Sequence, residues 1–228
     1  MQENHKTGWI TKKNIFVALL GAVLTYMLVT SVVDTRMQAV EQNIRDRLSD
    51  QEVLLAAIAE TTARNGADAV TERVVQDCSL TERSSFDTLL GRLDKGLSYS
   101  ELTELERLFG RCGSFYSERK AMMVSRLSRE TEIYESYVEQ LSTVTGEDHA
   151  EEFRVAEWKA LATNEQERSE LLASLVNLQD QIIATLLNGA SATSPEMTPI
   201  LYEVREAQDT LIVVTKQISD LRTSLVAL

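Results

Sequence analysis

Residues Ile15–Val33 read IFVALLGAVLTYMLVTSVV, an uncharged stretch bounded by Asn14 and Asp34. About 20 apolar residues of helix cross a hydrocarbon core about 30 Å thick. As a buried helix of a soluble protein, the same stretch would need cover on every face, and a chain of 228 residues has little to provide it. A cleaved signal peptide has a shorter apolar region that ends in a small-x-small site. This stretch ends in Thr30, Ser31, Val32 and Val33 with no A-x-A, and no Cys follows it for lipoprotein processing. Residues 14–33 are therefore expected to form a retained transmembrane signal anchor. Residues 1–13 would be a cytoplasmic tail and 34–228 an extracytoplasmic body.

Lys/Arg asymmetry gives little help with orientation, because Lys12 and Lys13 precede the span while Arg36, Arg45 and Arg47 follow it. Charge excludes one class of partner more firmly. Of 23 basic and 35 acidic side chains, three and one precede the span; the remaining 20 and 34 give the body a net charge of -14. A body so acidic is repelled by phosphate backbones, so nucleic acid is not an expected partner.

Helix breakers organise the body. Gly66, Gly96, Gly113, Gly146 and Gly189 fall between helical patterns, and Pro195 and Pro199 precede the last one. Period-2 alternation is almost absent and aromatics are only 6%, so an all-α fold is expected. From Asp34 to Asn65 there is no Gly or Pro. Met37, Val40, Ile44, Leu54 and Ile58 fit a 3-4 heptad there, with Arg47 and Gln51 as polar breaks. The membrane helix can thus run into this one as a single rod.

Two capping boxes, Ser79-x-x-Glu82 and Ser98-x-x-Glu101, open two short apolar stripes. Phe86, Leu89, Leu90 and Leu93 make the first, stopped at Gly96; Leu102, Leu105, Leu108 and Phe109 make the second, ending at Cys112 and Gly113. Residues 67–113 thus read as an inserted helical hairpin. Three longer helices follow, over Ser114–Thr145, Asp148–Asn188 and Pro195–Leu228. The first keeps its heptad through Val124, Leu127, Thr131, Tyr134, Val138 and Leu141, and the second through Leu171, Leu175, Leu178, Ile182 and Leu186. The last carries the most regular seam: Val204, Ala207, Leu211, Val214, Ile218, Leu221, Leu225 and Leu228. Such a seam packs inside the chain or against another chain. Four helices of matched length on short connections predict an up-down four-helix bundle or coiled coil, with the hairpin at its far tip.

Few residues suggest chemistry. Cys78 and Cys112 flank the hairpin, and two antiparallel arms would bring them together as a disulfide that closes a loop of ~35 residues. Two free thiols are the alternative. A bridge agrees with a body outside the reducing cytoplasm, and this tips the orientation; the spacing is not C-x-x-C. Glu147, Asp148, Glu151 and Glu152 beside His149 form an acidic cluster that suits a helix N-terminus better than a cation site. Arg111, Arg119, Lys120, Arg126 and Arg129 read as a solvated basic face; Arg119 and Arg126 are the candidates for an anion site. Met122 and Met123 are expected to fill core gaps and Trp158 to anchor the bundle. Phosphate-binding, dinucleotide-binding, esterase and zinc-protease motifs are all missing, and His149 is the one His outside the N-terminal tail. No catalytic, cofactor or metal site is expected.

The layout of basic tail, membrane helix and helical body resembles the helical sensor domains of bacterial chemoreceptors. It departs from them in having no second membrane helix or output domain before Leu228. The reading that follows is a non-enzymatic, single-pass, membrane-anchored scaffold or interaction protein of a cell envelope, its body periplasmic or at the cell surface. Its partners would be the membrane and other envelope proteins, or further copies of itself through helical packing. The alternatives are a ligand-binding, sensor-like module acting through a partner, and a helical membrane-remodelling or fusion protein.

Overall fold

The computed structural model describes residues 12–64, 78, 98–191 and 193–226, with side chains of 12–19, 64 and 226 left aside. All regular structure among these residues is helical. Helix α1 spans Lys12–Arg64, α2 Tyr99–Ser114, α3 Ala121–Thr145, α4 Val155–Leu187 and α5 Met197–Val226. A six-residue π-helical segment, Phe115–Lys120, joins α2 to α3 without a break.

Cross-helix hydrogen bonds fix the directions of the helices. Along α1, Arg45, Gln51 and Thr62 meet Glu152, Glu130 and Lys120, so α1 and α3 run antiparallel. Helices α3 and α4 are antiparallel through Glu135–Lys159, with the π segment's Tyr116 reached by Ser169 higher up. Helix α5 turns back along α4: Met197 and Val204 share a cluster with Leu172–Ile183, and Val214, Ile218 and Leu225 share another with Val155–Ala162. Helix α4 is the hub, packing on α2, α3 and α5. It therefore buries two stripes, Leu175, Leu178 and Ile182 on one and Leu172, Val176, Gln179 and Ile183 on the other.

Two apolar clusters result. The lower one holds Ile44, Leu48, Leu55, Leu127, Tyr134, Leu141, Trp158 and Ile218, drawn from α1, α3, α4 and α5. The upper one holds Cys78, Phe109, Cys112, Tyr116, Leu175, Ile182 and Val204.

Several expectations need correction. The helix does not stop at Cys112 and Gly113; it continues through the π segment, so the second arm of the hairpin and the next long helix are one element. Gly113 serves close packing instead: a Cβ there would stand 2.8 Å from Asn177 Oδ1 on α4. Helix α4 begins at Val155 rather than near Asp148, because Gly146 ends α3 in a left-handed conformation and Arg154, also left-handed, starts α4. Along α1 the buried positions are Ile44, Leu48, Leu55, Ile58, Ala59 and Thr62, not the series through Arg47 and Gln51. Met37 and Val40 are about half exposed, at 47% and 49%. The physical reason is the loop carrying Glu152, which closes the base of the body at Arg45; below it, residues 20–43 of α1 are exposed apart from Thr30 and Glu41. Residues 12–43 thus project by about 48 Å at 1.5 Å per residue. The first capping box and the stripe at Phe86, Leu89, Leu90 and Leu93 lie outside the described residues.

Candidate functional site

The sulfurs of Cys78 and Cys112 are bonded, with their Cα atoms 5.5 Å apart. Both cysteines are fully buried in the upper cluster. The cross-link closes a loop of 34 residues, which on chain-entropy grounds contributes about 3–4 kcal/mol. The second capping box forms as expected: Glu101 Oε2 accepts from the Ser98 amide at 2.8 Å, and Ser98 Oγ accepts from the Glu101 amide.

The seam of the last helix faces inward. Val204, Val214, Ile218 and Leu225 are buried, and Ala207, Leu211 and Leu221 pack against the two clusters. Leu228 lies outside the described residues. The opposite face of α5 leaves Tyr202, Ile212 and Val213 exposed.

The two candidate anion ligands lie on consecutive helical segments. Arg119 is exposed on the π segment, whereas Arg126 lines a small groove of about 160 Å³ with Leu54, Ile58, Thr61 and Met123. Met122 is 68% exposed and fills no core gap. Trp158 is buried in the lower cluster. In the acidic cluster, His149 Nδ1 meets Glu152 Oε2 at 2.6 Å and Arg45 meets Glu152 Oε1 at 3.2 Å. Hydrogen bonds from His149 and Arg45 hold the Glu152 carboxyl below the usual range. These contacts tie the α3–α4 loop to α1. Among the described residues no group of three or more His, Cys, Asp or Glu is placed to hold a metal ion.

The sequence reading missed a buried polar layer. Lys120 is fully buried, and its Nζ donates to the main-chain carbonyl of Thr62 in the last turn of α1. Arg222 on α5 donates to Glu165 Oε1 on α4 and to the Ala59 carbonyl on α1. Glu165 is also fully buried, and its Oε2 has no partner among the described residues. A signal for Lys120 existed: it falls four residues after Tyr116 and four before Val124, on the line of the seam.

A groove of about 550 Å³ lies where the π segment meets α4. Tyr116, Ser117 and Ala121 form one wall; Ser169, Ala173 and Asn177 form the other.

Among the described residues no helix is long and apolar enough to cross a membrane. The side chains that open the uncharged run, residues 15–19, are outside that description, and the remainder, Leu20–Val33, is exposed apart from Thr30. Fold and site define an all-helical protein with one disulfide. Comparison with family models, with curated proteins and with solved structures finds no match.

Proposed function

We propose that the chain is a non-enzymatic, single-pass membrane-anchored scaffold or interaction protein of a cell envelope, with a cytoplasmic N-terminus and an extracytoplasmic up-down bundle. One observation carries this reading. Helix α1 is a single rod from Lys12 to Arg64, whose upper part is built into the body and whose lower part exposes Leu20, Val23, Leu24, Met27, Leu28, Val29, Val32 and Val33. So continuous an exposed apolar surface has to be covered, and the sequence extends it unbroken to Ile15. The disulfide agrees with an oxidising compartment. Since the α5 seam is occupied within the chain, partners would meet the outer faces, where Tyr202, Ile212 and Val213 stand exposed.

Alkaline carbonate extraction of membranes tests the anchor. The full chain should stay in the pellet, and a chain starting at Asp34 should be released. A full chain that is itself released defeats the reading.

A second reading, a ligand-binding module acting through a partner, draws on the groove of about 550 Å³ beside the π segment. Ala173→Trp would fill that groove. A saturable thermal shift by a small polar solute, abolished in Ala173→Trp, favours this alternative over the scaffold.

A further inference from the structure

Seam positions on either side of the π segment advance in strictly alternating steps of three and four, an average of 3.5 residues. Leu105, Phe109, Cys112 and Tyr116 form the upper series; Val124, Leu127, Thr131, Tyr134, Val138 and Leu141 form the lower one. Continued from Tyr116, the upper series would reach positions 119 and 123, yet the lower series starts at 124. The two are one residue out of step. A continuous α-helix at about 100° per residue could satisfy one series only by turning the other away from its neighbours. A π turn holds one residue more than an α turn, and the π segment Phe115–Lys120 lies between the two series.

We propose that this segment is a phase joint: it stores the one surplus residue between a disulfide-tied upper helix, seated on α4, and a lower helix seated on α1. Both ends of the joint are held. Above it, Cys112 is bonded to Cys78; at its last residue, Lys120 donates to the Thr62 carbonyl. Main-chain acceptors in the last turn of a helix lack intrahelical donors, and a lysine there also complements the helix dipole. Lys120 stays on the seam whether or not the surplus residue is present, since position 119 continues the upper series and 120 leads to Val124. The surplus residue is therefore dispensable for packing, and the segment that holds it borders the groove at Ser117 and Ala121.

Two deletions in the full-length chain, studied in detergent, test the joint. Deletion of Ser117, exposed within the π segment, should leave a cooperative melt within a few degrees of the parent and an intact Cys78–Cys112 bridge by non-reducing peptide mass spectrometry. Deletion of Ser136, exposed in the middle of α3, throws Val138 and Leu141 out of phase and should abolish the cooperative melt. Hydrogen exchange gives a second readout. Amides of residues 115–121 should exchange at least about tenfold faster than those of both flanking helices in the parent, and should slow to the flanking rate once Ser117 is deleted. A Ser117 deletion that unfolds as the Ser136 deletion does, or a segment as protected as its flanks in the parent, overturns the proposal.

Discussion

Arg222 on the last helix donates to the carboxylate of Glu165 on α4 and, at 3.3 Å, to the main-chain carbonyl of Ala59 on α1. One guanidinium thereby ties together three helices widely separated in sequence. Burial lowers the basicity of Arg222, and the Glu165 charge opposes that effect. Arg222→Ala leaves a fully buried carboxylate without its cation, which costs about 3–5 kcal/mol. Replacing both partners, as Glu165→Gln with Arg222→Met, should recover most of that loss in denaturant titrations. A single Arg222→Ala variant as stable as the parent would show that the pair does not close the body.

The α5 seam gives a second prediction. Val214 is a cleaner probe than Ile218, because a carboxylate at 218 would lie one turn from Arg222. Val214→Asp places a charge at a position 3% exposed in the wild-type body. The cost should be several kcal/mol, enough to unfold a domain of ordinary stability. Circular dichroism with light scattering reads the outcome. A Val214→Asp chain that stays folded but loses an oligomer would mean that the seam serves other chains.

Gly113 yields a prediction of opposite sign. In a helix interior, Gly costs about 0.5–1 kcal/mol relative to Ala. The atom that an added Cβ would approach is the end of the exposed Asn177 side chain, which can rotate away. Gly113→Ala should therefore be neutral or stabilising by up to about 1 kcal/mol, measured as a shift in melting temperature. A loss of that size would instead mean that Asn177 cannot give way and that the approach of α4 requires glycine at 113.

The acid response follows from two carboxylates. Glu130, hydrogen-bonded by Arg129 and Gln51, and Glu152, hydrogen-bonded by His149 and Arg45, both titrate below the ordinary value of 4.5. A depressed acid binds its proton more weakly in the folded state. Its contribution is present above that ordinary value and is lost as pH falls through the folded one. Asp180, raised by burial and by the Glu106 charge, acts in the opposite sense. Melting temperature should fall on acidification below about pH 4.5, less steeply in Glu130→Gln and more steeply in Asp180→Asn. Stability that rises through this window would contradict the assignment.

Most of the helical architecture was legible from the sequence because the seams of α3 and α5 are regular. Val124 through Leu141 and Val204 through Leu225 each face a single direction, and heptad spacing suffices to find such faces. Helix α4 was only half legible, since a hub buries two stripes and a single-seam template finds one. Gly113 misled for a physical reason: a glycine that ends a helix and one that admits a neighbouring helix are the same letter, and only the approach of Asn177 separates them. Glu165 and Arg222 were invisible, and Lys120 was read as solvated despite its place on the seam, because charged residues are normally solvated; the burial of Lys120 and Glu165 depends on partners on other helices.

The central claim is that α1 carries the body across a membrane to the far side. A reporter enzyme active only outside the cytoplasm, fused after Leu228 of the full chain, tests this most directly. The account predicts full reporter activity, with the fusion retained in membranes. A fusion that is inactive outside and protected from external protease would place the body in the cytoplasm and contradict it.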